Sequence, residues 1–232
     1  MTAELFEKCL DNVDPDQRFE YNQPIITGFG ETLLHPDYDQ LFGIAKRKGI
    51  FLRMHSNGLL MEKEDVEKLI NNNVKRLEIS IHTEKSLAGF KLAYELIAKQ
   101  HPEIVLRANI MSCYTGQLQG WINNVGLPEE ALHRITIINM HNWARNEREF
   151  TSEENLIWQN KCAFLLSGAA VIRWDGNVYT CCVDSEGVNY VGHVDNFPTL
   201  KLKPETYKLC AKCSPAWFNG EVGGVKLPIF SK

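Results

Sequence analysis

The stretch ITGFGETLLHPDYDQLFGIAKRKGIFLRMHSNGLLM, residues 26–61, contains the unit that decides the fold: a strand, a glycine-rich turn, a helix and a second strand. The helix, residues 38–48, carries apolar side chains at helical spacing and ends with basic residues before Gly49, which is a typical stop signal. The run IFLRMH (50–55) that follows is rich in residues favoured in strands. A helix between two strands predicts a parallel pair joined by a right-handed crossover.

The same period repeats along the first 140 residues. Five apolar runs start 25 to 31 residues apart, which is the length that a strand, a crossover helix and two loops occupy. These predicted strands are QPIIT (23–27), IFLRMH (50–55), KRLEISI (75–81), EIVLRANIM (103–111) and RITIINM (134–140). Apolar spacing predicts helices at Thr2–Leu10, Tyr38–Lys48, Asp65–Asn71 and Lys85–Lys99. The first helix precedes every predicted strand, so either the sheet starts one unit late or an upstream strand and its loop are missing.

Composition and charge exclude several classes of function. The 232 residues include 25 Lys and Arg against 29 Asp and Glu, a net charge of -4. This balance lacks the excess of positive charge that binding to nucleic acid or an anionic membrane requires. No apolar run approaches the roughly 20 residues of a membrane span. The acidic, amphipathic N-terminus is also unlike a signal peptide, and the sequence predicts a cytoplasmic protein.

The cysteines are distributed unevenly and indicate a domain boundary. Two of the seven stand in the first 150 residues, whereas five fall between 162 and 213. We therefore predict an α/β domain over residues 1–150 and a small, cysteine-rich α+β extension over residues 151–232. Within the extension, AAVIRWDGNVYTCC (169–182) predicts a hairpin that turns at Asp175-Gly176-Asn177 and delivers Cys181 at its far end.

Four cysteines of the extension form a candidate metal-binding set: Cys162, Cys181, Cys210 and Cys213. A Cys-x-x-Cys turn lets two thiolates point at one centre, and two more thiolates complete a tetrahedral site or hold a cubane cluster. Thiolate ligation suits zinc and iron-sulfur clusters equally, so both remain open at this point. The alternative is a set of unrelated buried cysteines.

A second candidate site lies at the predicted carboxyl edge of the sheet. Gly28, Gly30 and Glu31 follow the first strand directly. Leu33 stands where a dinucleotide fingerprint needs glycine, and no Gly-Lys-Ser/Thr ends a phosphate loop. A glycine-lined turn at the end of a parallel strand is nonetheless where α/β folds bind ligands. Polar residues follow other strands at the same edge, among them Ser56, Asn57 and Ser80.

Together these motifs resemble the radical S-adenosylmethionine enzymes that carry a C-terminal SPASM or twitch extension. Residues 26–61 are similar to the stretch from that family's Gly-Gly-Glu motif through its third strand, and RLEISIH (76–82) resembles its fourth. The stretch from Cys162 to Cys213, with Gly-x-Val-x-x-Cys at 176–181, resembles a shortened cluster-binding extension. The resemblance implies a partial (β/α) barrel of which this sequence contains five of six βα units.

The resemblance also implies roles for individual residues. Gly28, Gly30 and Glu31 would lie against the methionine amino group of S-adenosylmethionine, and Ser80 would approach its ribose. Ser56 and Asn57 complete the implied cofactor-binding set. The implied ligands of an auxiliary [4Fe-4S] cluster are Cys162, Cys181, Cys210 and Cys213.

One defining motif of that family is absent. The 232 residues contain no Cys-x-x-x-Cys-x-x-Cys, the motif whose three thiolates anchor the cluster that reduces S-adenosylmethionine. We therefore expect that this chain alone does not cleave the cofactor, and that it is an N-terminally truncated form of an enzyme modifying a peptide or a small metabolite. The alternatives are a non-catalytic iron-sulfur protein that pairs with a partner or with itself through the open barrel edge, and an α/β protein with a structural zinc site.

Overall fold

The computed structural model describes residues 1–13, 24–27, 30–138, 170–182, 184 and 186–199. For residues 197–199 only the backbone is described. The chain divides into two compact units, residues 1–138 and residues 139–232. The sequence places the domain boundary between residues 150 and 151, in a segment outside the described residues, so that boundary stays a prediction.

The first unit contains a five-stranded parallel sheet in the order β1-β2-β3-β4-β5. Its strands are Ile25–Ile26, Leu52–Ser56, Val74–Ile81, Val105–Met111 and Ile135–Ile138. Each overlaps a run predicted from the sequence, and β2 and β3 extend beyond their predicted runs to Ser56 and Val74. The strand order follows the chain without a reversal, as in a (β/α) barrel and unlike a doubly wound sheet. The predicted fold class, a parallel α/β partial barrel, is confirmed.

In the described residues, five α-helices accompany these strands: α1 Ala3–Asp11, α2 Tyr38–Arg47, α3 Lys63–Asn71, α4 Glu84–Ala93 and α5 Thr115–Val125. A π-helical turn, Tyr94–Ala98, continues α4, and short 3-10 turns occupy Thr32–Leu34, Ser112–Tyr114 and Glu129–Arg134. Consecutive helices contact one another, as they do when successive right-handed crossovers place them on one side of a sheet. None of the helices in the described part of the chain is long and apolar enough to cross a membrane.

The two faces of the sheet differ in chemistry. On the helix side, alternate residues of the three central strands are fully buried: Leu52, Met54, Leu77, Ile79, Ile81, Leu106, Ala108 and Ile110. Burying one such aliphatic side chain contributes roughly 1.5–3 kcal/mol. The opposite face, here called the polar face, carries Arg53, His55, Arg76, Glu78 and Arg107 at the alternating positions. The core therefore lies between sheet and helices, and the polar face is left for other contacts.

In the second unit, the described residues form a three-stranded antiparallel sheet in the order β6-β7-β8. The strands are Val171–Ile172, Asn177–Tyr179 and Tyr190–His193, followed by a 3-10 turn at Val194–Thr199. The predicted hairpin is present, because Val171 pairs with Tyr179 and Ile172 with Val178. Gly176 in its turn has φ +85°, a conformation that favours glycine. Cys181 follows β7 after one residue, Thr180.

Candidate functional site at the carboxyl edge of the sheet

The side chain of Glu31, in the loop after β1, hydrogen-bonds to Ser56 and Asn57 at the end of β2. Its Oε1 accepts a hydrogen bond from Ser56 Oγ at 2.9 Å, and its Oε2 accepts one from the backbone N–H of Asn57 at 2.7 Å. Oε1 also accepts the backbone N–H of Leu33 at 3.3 Å, which caps the 3-10 turn after β1. Three of the residues that the sequence singled out, Glu31, Ser56 and Asn57, are thus in direct contact.

The Ser56-Asn57-Gly58 turn is held in one conformation by its own side chains. Ser56 Oγ accepts the N–H of Gly58 at 3.0 Å, and Asn57 Oδ1 accepts the N–H of Leu59 at 2.8 Å. Gly58 has φ +70°, and a Cβ at this position would lie 2.8 Å from Ile79 Cγ2. Only glycine fits there without displacing the core. The turn therefore presents its polar atoms at a fixed place.

Part of the hydrogen-bonding capacity of Glu31 remains for a ligand. A carboxylate offers about four acceptor positions, and the described residues use three of them on Glu31. Gly30 beside it is exposed, and a Cβ built there meets no atom within 4 Å. An amine or ammonium group can approach the carboxylate across this open backbone. Gly28, the other predicted glycine contact, lies outside the described residues.

Ser80 lies at the same level of the sheet. Ser56 pairs in register with Ile79, the residue before Ser80, and Ser80 pairs with Asn109 of β4. Ser80 is half-buried on the polar face. The sheet therefore brings Ser80 to the edge that holds Glu31 and Ser56, with Asn109 as its neighbour.

Below this edge, the polar face holds a charged cluster that sequence reasoning missed. Glu78 is 5% exposed and its Oε1 accepts hydrogen bonds from Arg53 Nη2 at 2.8 Å and Arg76 Nε at 2.5 Å. His55 Nε2 lies 3.1 Å from the other carboxylate oxygen. Burial alone would raise the pKa of Glu78, but His55 and Arg53 outweigh it and hold that pKa well below its usual range. Charged residues at alternate positions of predicted strands were the available signal.

A second side-chain group stands where β3 and β4 end. His82 meets Tyr114 edge to face, with ring centroids 6.0 Å apart, and Tyr114 in turn contacts Trp121 of α5 at 6.3 Å. Burial lowers the pKa of His82, which favours the neutral imidazole. This aromatic group adds an apolar wall at the same edge as the polar side chains.

The candidate metal centre is only partly within the described residues. Cys181 is half-buried after β7, whereas Cys162, Cys210 and Cys213 lie outside the part of the chain that the structure describes. Among the described residues, no group of three or more His, Cys, Asp or Glu side chains is placed to hold a metal ion. The four-thiolate assignment therefore stays a prediction.

One buried carboxylate, that of Asp184, accepts hydrogen bonds from the backbone of described residues that follow Cys181. Asp184 is 1% exposed and accepts the backbone N–H groups of Gly187, Val188 and Asn189 at 2.8, 3.0 and 2.7 Å. Beside Cys181, the side-chain polar atoms of Thr180 and Asn189 are buried and have no hydrogen-bond partner among the described residues. The unpaired donors, Thr180 Oγ1 and Asn189 Nδ2, are of the kind that hydrogen-bonds to cluster sulfurs, whereas the unpaired Asn189 Oδ1 is an acceptor that a cluster would not satisfy.

The fold defines a class: a parallel α/β protein with a candidate ligand site at the carboxyl edge of its sheet. Comparison with family models then gives the family. The model described as the Radical SAM superfamily matches residues 6–140, more than half of the 232 residues. The chain belongs to the radical SAM superfamily.

Two solved structures are similar to the chain at low sequence identity. One is BtrN in complex with AdoMet and 2-DOIA, with 13% identity, a TM-score of 0.48, and coverage of 84% of this chain and 66% of that one. The other is selenomethionine BtrN in an open conformation, with 12% identity, a TM-score of 0.47, and coverage of 84% and 64%. The chain thus spans just under two thirds of the length of these proteins. A search of curated proteins found no match.

Proposed function

We propose that this chain is the cofactor-positioning and auxiliary-cluster part of a radical S-adenosylmethionine enzyme that modifies a peptide or a small metabolite. The observation that carries the proposal is the contact of Glu31 with Ser56 and Asn57, found in a chain that belongs to the radical SAM superfamily. This contact creates an acceptor at the edge where α/β folds bind ligands.

The residues at this edge have distinct tasks in the proposal. Glu31 accepts a hydrogen bond from the methionine ammonium of S-adenosylmethionine, and the open backbone of Gly28 and Gly30 lets that group approach. Ser80 contacts the ribose. Ser56 and Asn57 hold the Glu31 carboxylate in place, so that the carboxylate does not have to reorganise when the cofactor binds.

The proposal assigns the radical-initiating cluster to additional sequence. The bound cluster supplies the electron that cleaves S-adenosylmethionine, and its anchor needs three thiolates. Those three cysteines are absent from the 232 residues. Helix α1 contacts α2 and contributes Phe6 and Leu10 to the core, as the crossover helix of a preceding βα unit would. We propose that this preceding unit carries the missing cysteines and that the chain alone leaves S-adenosylmethionine intact.

The extension holds an auxiliary [4Fe-4S] cluster in the proposal, with Cys162, Cys181, Cys210 and Cys213 as ligands. Cys181 is supported as a ligand by its position at the end of a hairpin. After it, the carboxylate of Asp184 accepts the backbone N–H of Asn189. The proposed roles of this cluster are to accept an electron from the substrate or to bind the substrate.

The first test is a metal analysis of the chain after anaerobic purification and reconstitution. We expect about four irons and four sulfides per chain, with an electron paramagnetic resonance spectrum that does not change when S-adenosylmethionine is added. A spectrum that shifts with the cofactor would contradict the assignment of the initiating cluster to other sequence. Zinc in place of iron would replace the proposal by a structural zinc site.

A non-catalytic binding protein is the second candidate, and one observation favours it. Among the described residues, β1 pairs with β2 only, and Ile25 of this short edge strand is 41% exposed. Such an edge can pair with another chain or with a second copy. Self-association of the iron-loaded chain, measured by sedimentation, together with failure of a chain extended by a cysteine-bearing βα unit to cleave S-adenosylmethionine, would favour this candidate.

A further inference from the structure

The polar face of the parallel sheet carries more positive than negative charge. Its described strand residues include three arginines, Arg53, Arg76 and Arg107, but one carboxylate, that of Glu78. The whole chain, in contrast, has a net charge of -4. A surface lined by charges of one sign attracts ligands of the opposite sign, so this local excess favours an anion on the polar face.

Arg107 lies beside Glu78 in the sheet, yet the two side chains form no ion pair. Glu78 of β3 and Arg107 of β4 are register partners, and adjacent strands lie about 4.8 Å apart. Both carboxylate oxygens of Glu78 already have partners on β2 and β3. Oε1 accepts hydrogen bonds from Arg53 Nη2 and Arg76 Nε, and Oε2 lies 3.1 Å from His55 Nε2. The acidic side chain of this face therefore does not neutralise Arg107.

The guanidinium of Arg107 is consequently available to a ligand. Arg107 is exposed, and it has no hydrogen bond, ion pair or ring contact with any other described residue. A second sign that this face has too few acceptors is Arg53 Nε, which is buried without a partner in the described part of the chain. A guanidinium offers five donors in a planar fork that matches a carboxylate or a phosphate.

The distance from Arg107 to the carboxyl edge limits the size of a ligand that reaches both. Arg107 precedes Asn109 by two residues, and Asn109 pairs in register with Ser80. Two residues of a strand span about 6.6 Å. A molecule whose anionic group lies at Arg107 therefore extends over only a few bonds before it reaches the edge where Ser80 and Glu31 lie.

We propose that Arg107 binds an anionic group of the substrate, a carboxylate or a phosphate, and thereby selects an anionic substrate. This inference rests on the proposed function, because it takes the polar face as the place where the substrate of that enzyme lies. It narrows the substrate to one that carries such a group within a few bonds of the reacting position. Glu78, the register partner of Arg107, opposes the binding of the anion by its charge.

The test is a nuclear magnetic resonance titration of the isotope-labelled full chain that follows the backbone amide and arginine Nε–H signals. The probes are inorganic phosphate and acetate, and sodium chloride keeps the ionic strength constant because salt screens exposed charges. We expect saturable shifts that include one arginine signal absent from Arg107→Gln, and binding at least about tenfold weaker in that variant. The probe that binds more tightly identifies the anion that the site takes.

Arg47→Gln is the matched control. Arg47 is exposed in the last turn of α2 and likewise has no partner among the described residues, but it does not belong to the polar face. The affinity for both probes should be that of the parent chain. Equal weakening by Arg47→Gln and Arg107→Gln would mean that anions associate with surface charge in general, and it would overturn the inference.

Glu78→Gln gives a second readout, with the opposite sign. It removes negative charge next to Arg107, so the affinity for the anion should rise several-fold. A variant that merely loosens the sheet would bind the anion more weakly, and that result would count against the inference. The titration needs no iron. A chain that binds the anion through Arg107 but no iron would defeat the proposed function alone, and a chain with full iron but no saturable anion binding would defeat this inference alone.

The cofactor of the proposed enzyme also carries a carboxylate, and a third measurement separates it from the substrate. Binding of S-adenosylmethionine, measured by equilibrium dialysis, should be the same for the parent chain and for Arg107→Gln. Loss of cofactor binding in the variant would make Arg107 a contact of the cofactor and would overturn its assignment to the substrate.

Discussion

Ser56 Oγ donates a 2.9 Å hydrogen bond to Glu31 Oε1, and the two residues are 25 positions apart in the chain. Glu31 stands in the loop after β1, and Ser56 is the last residue of β2. Adjacent parallel strands end at the same edge of a sheet, so a contact between their loops depends on the whole βαβ unit being folded. The Glu31 carboxylate is therefore part of the candidate ligand site and also stabilises the βαβ unit.

We expect Glu31→Gln to weaken the hydrogen bonds that join the loop after β1 to the end of β2. The amide nitrogen that replaces one oxygen cannot accept a hydrogen bond, so the hydroxyl of Ser56 or the N–H of Asn57 loses its acceptor. Hydrogen bonds to charged groups contribute roughly 1.5–3 kcal/mol, and we expect a loss of about that size in the free energy of unfolding. Denaturant unfolding measures it.

The matched control for this change is Glu67→Gln. Glu67 lies on an exposed face of α3, where its carboxylate is 3.6 Å from Lys63 Nζ. Exposed pairs of this type contribute about 0.3–0.5 kcal/mol. Equal effects of the two substitutions would mean that Glu31 is an ordinary surface carboxylate.

A second prediction concerns the contact between α4 and the turn after β2. A Cβ at Gly89 of α4 would overlap the carbonyl oxygen of Gly58. We expect Gly89→Ala to destabilise the protein by about 1–3 kcal/mol, as overpacking does, and to displace the Ser56-Asn57-Gly58 turn. Thermal unfolding measures the first effect, and loss of S-adenosylmethionine binding by a chain that contains the initiating cluster measures the second.

Gly120 of α5 is the control, because a Cβ there meets no atom within 4 Å. Alanine is the better helix former by about 0.8–1 kcal/mol in an exposed helix interior, so Gly120→Ala should raise the melting temperature. A rise for Gly89→Ala as well would show that the turn and α4 are not in contact.

The pH dependence of stability should contain a contribution from Glu78. Arg53, Arg76 and His55 surround its carboxylate. Burial alone would raise the pKa of Glu78, but His55 and Arg53 hold it below the unfolded value, which is about 4.3. The unfolded chain therefore binds this proton more readily. The stabilisation is complete above pH of about 4.3 and is lost as the pH falls toward the folded pKa.

Glu78→Gln tests this contribution. We expect a loss of roughly 1.5–3 kcal/mol at pH 7, because two guanidinium groups lose a charged acceptor, and a smaller difference from the parent chain at pH 3. Unfolding curves at both pH values give the two differences. The control is Glu95→Gln, which removes an exposed partner of Lys91. It should change the free energy of unfolding only slightly at both pH values. A loss for Glu78→Gln that is the same at both pH values would contradict the charged state of the cluster.

The repeating βα units could be predicted from the sequence, because their strands are rich in β-branched residues and start 25 to 31 residues apart. Helix α5 was missed, since only Leu118 and Ile122 are buried along it and two glycines interrupt the pattern. Strand β8 was missed because Gly192, with φ +154°, interrupts a run of only four residues.

The candidate site was only partly predictable for a related reason. Residue types and strand ends identified Glu31, Ser56 and Ser80 as candidates, but their contacts depend on register, which pairs Ile26 with Met54 and Ser56 with Ile79. The Glu78 cluster and the unpaired atoms of Asn189 are products of packing between strands. The alternating charged residues of β2 and β3 are visible in the sequence, but which side chains meet depends on strand register, which no local pattern encodes.

The last prediction separates the proposed ligand Cys181 from the other cysteines. Cys181→Ser replaces a thiolate by a hydroxyl that binds soft metals poorly, so iron per reconstituted chain should fall well below that of the parent. Cys113→Ser is the control, because Cys113 is exposed in the turn after β4 and belongs to no proposed ligand set. Metal binding is coupled to folding, so chelation should lower the melting temperature of the parent and of Cys113→Ser but leave that of Cys181→Ser unchanged. Equal iron in both variants would mean that Cys181 is not a ligand and that the centre, if present, is held by other residues.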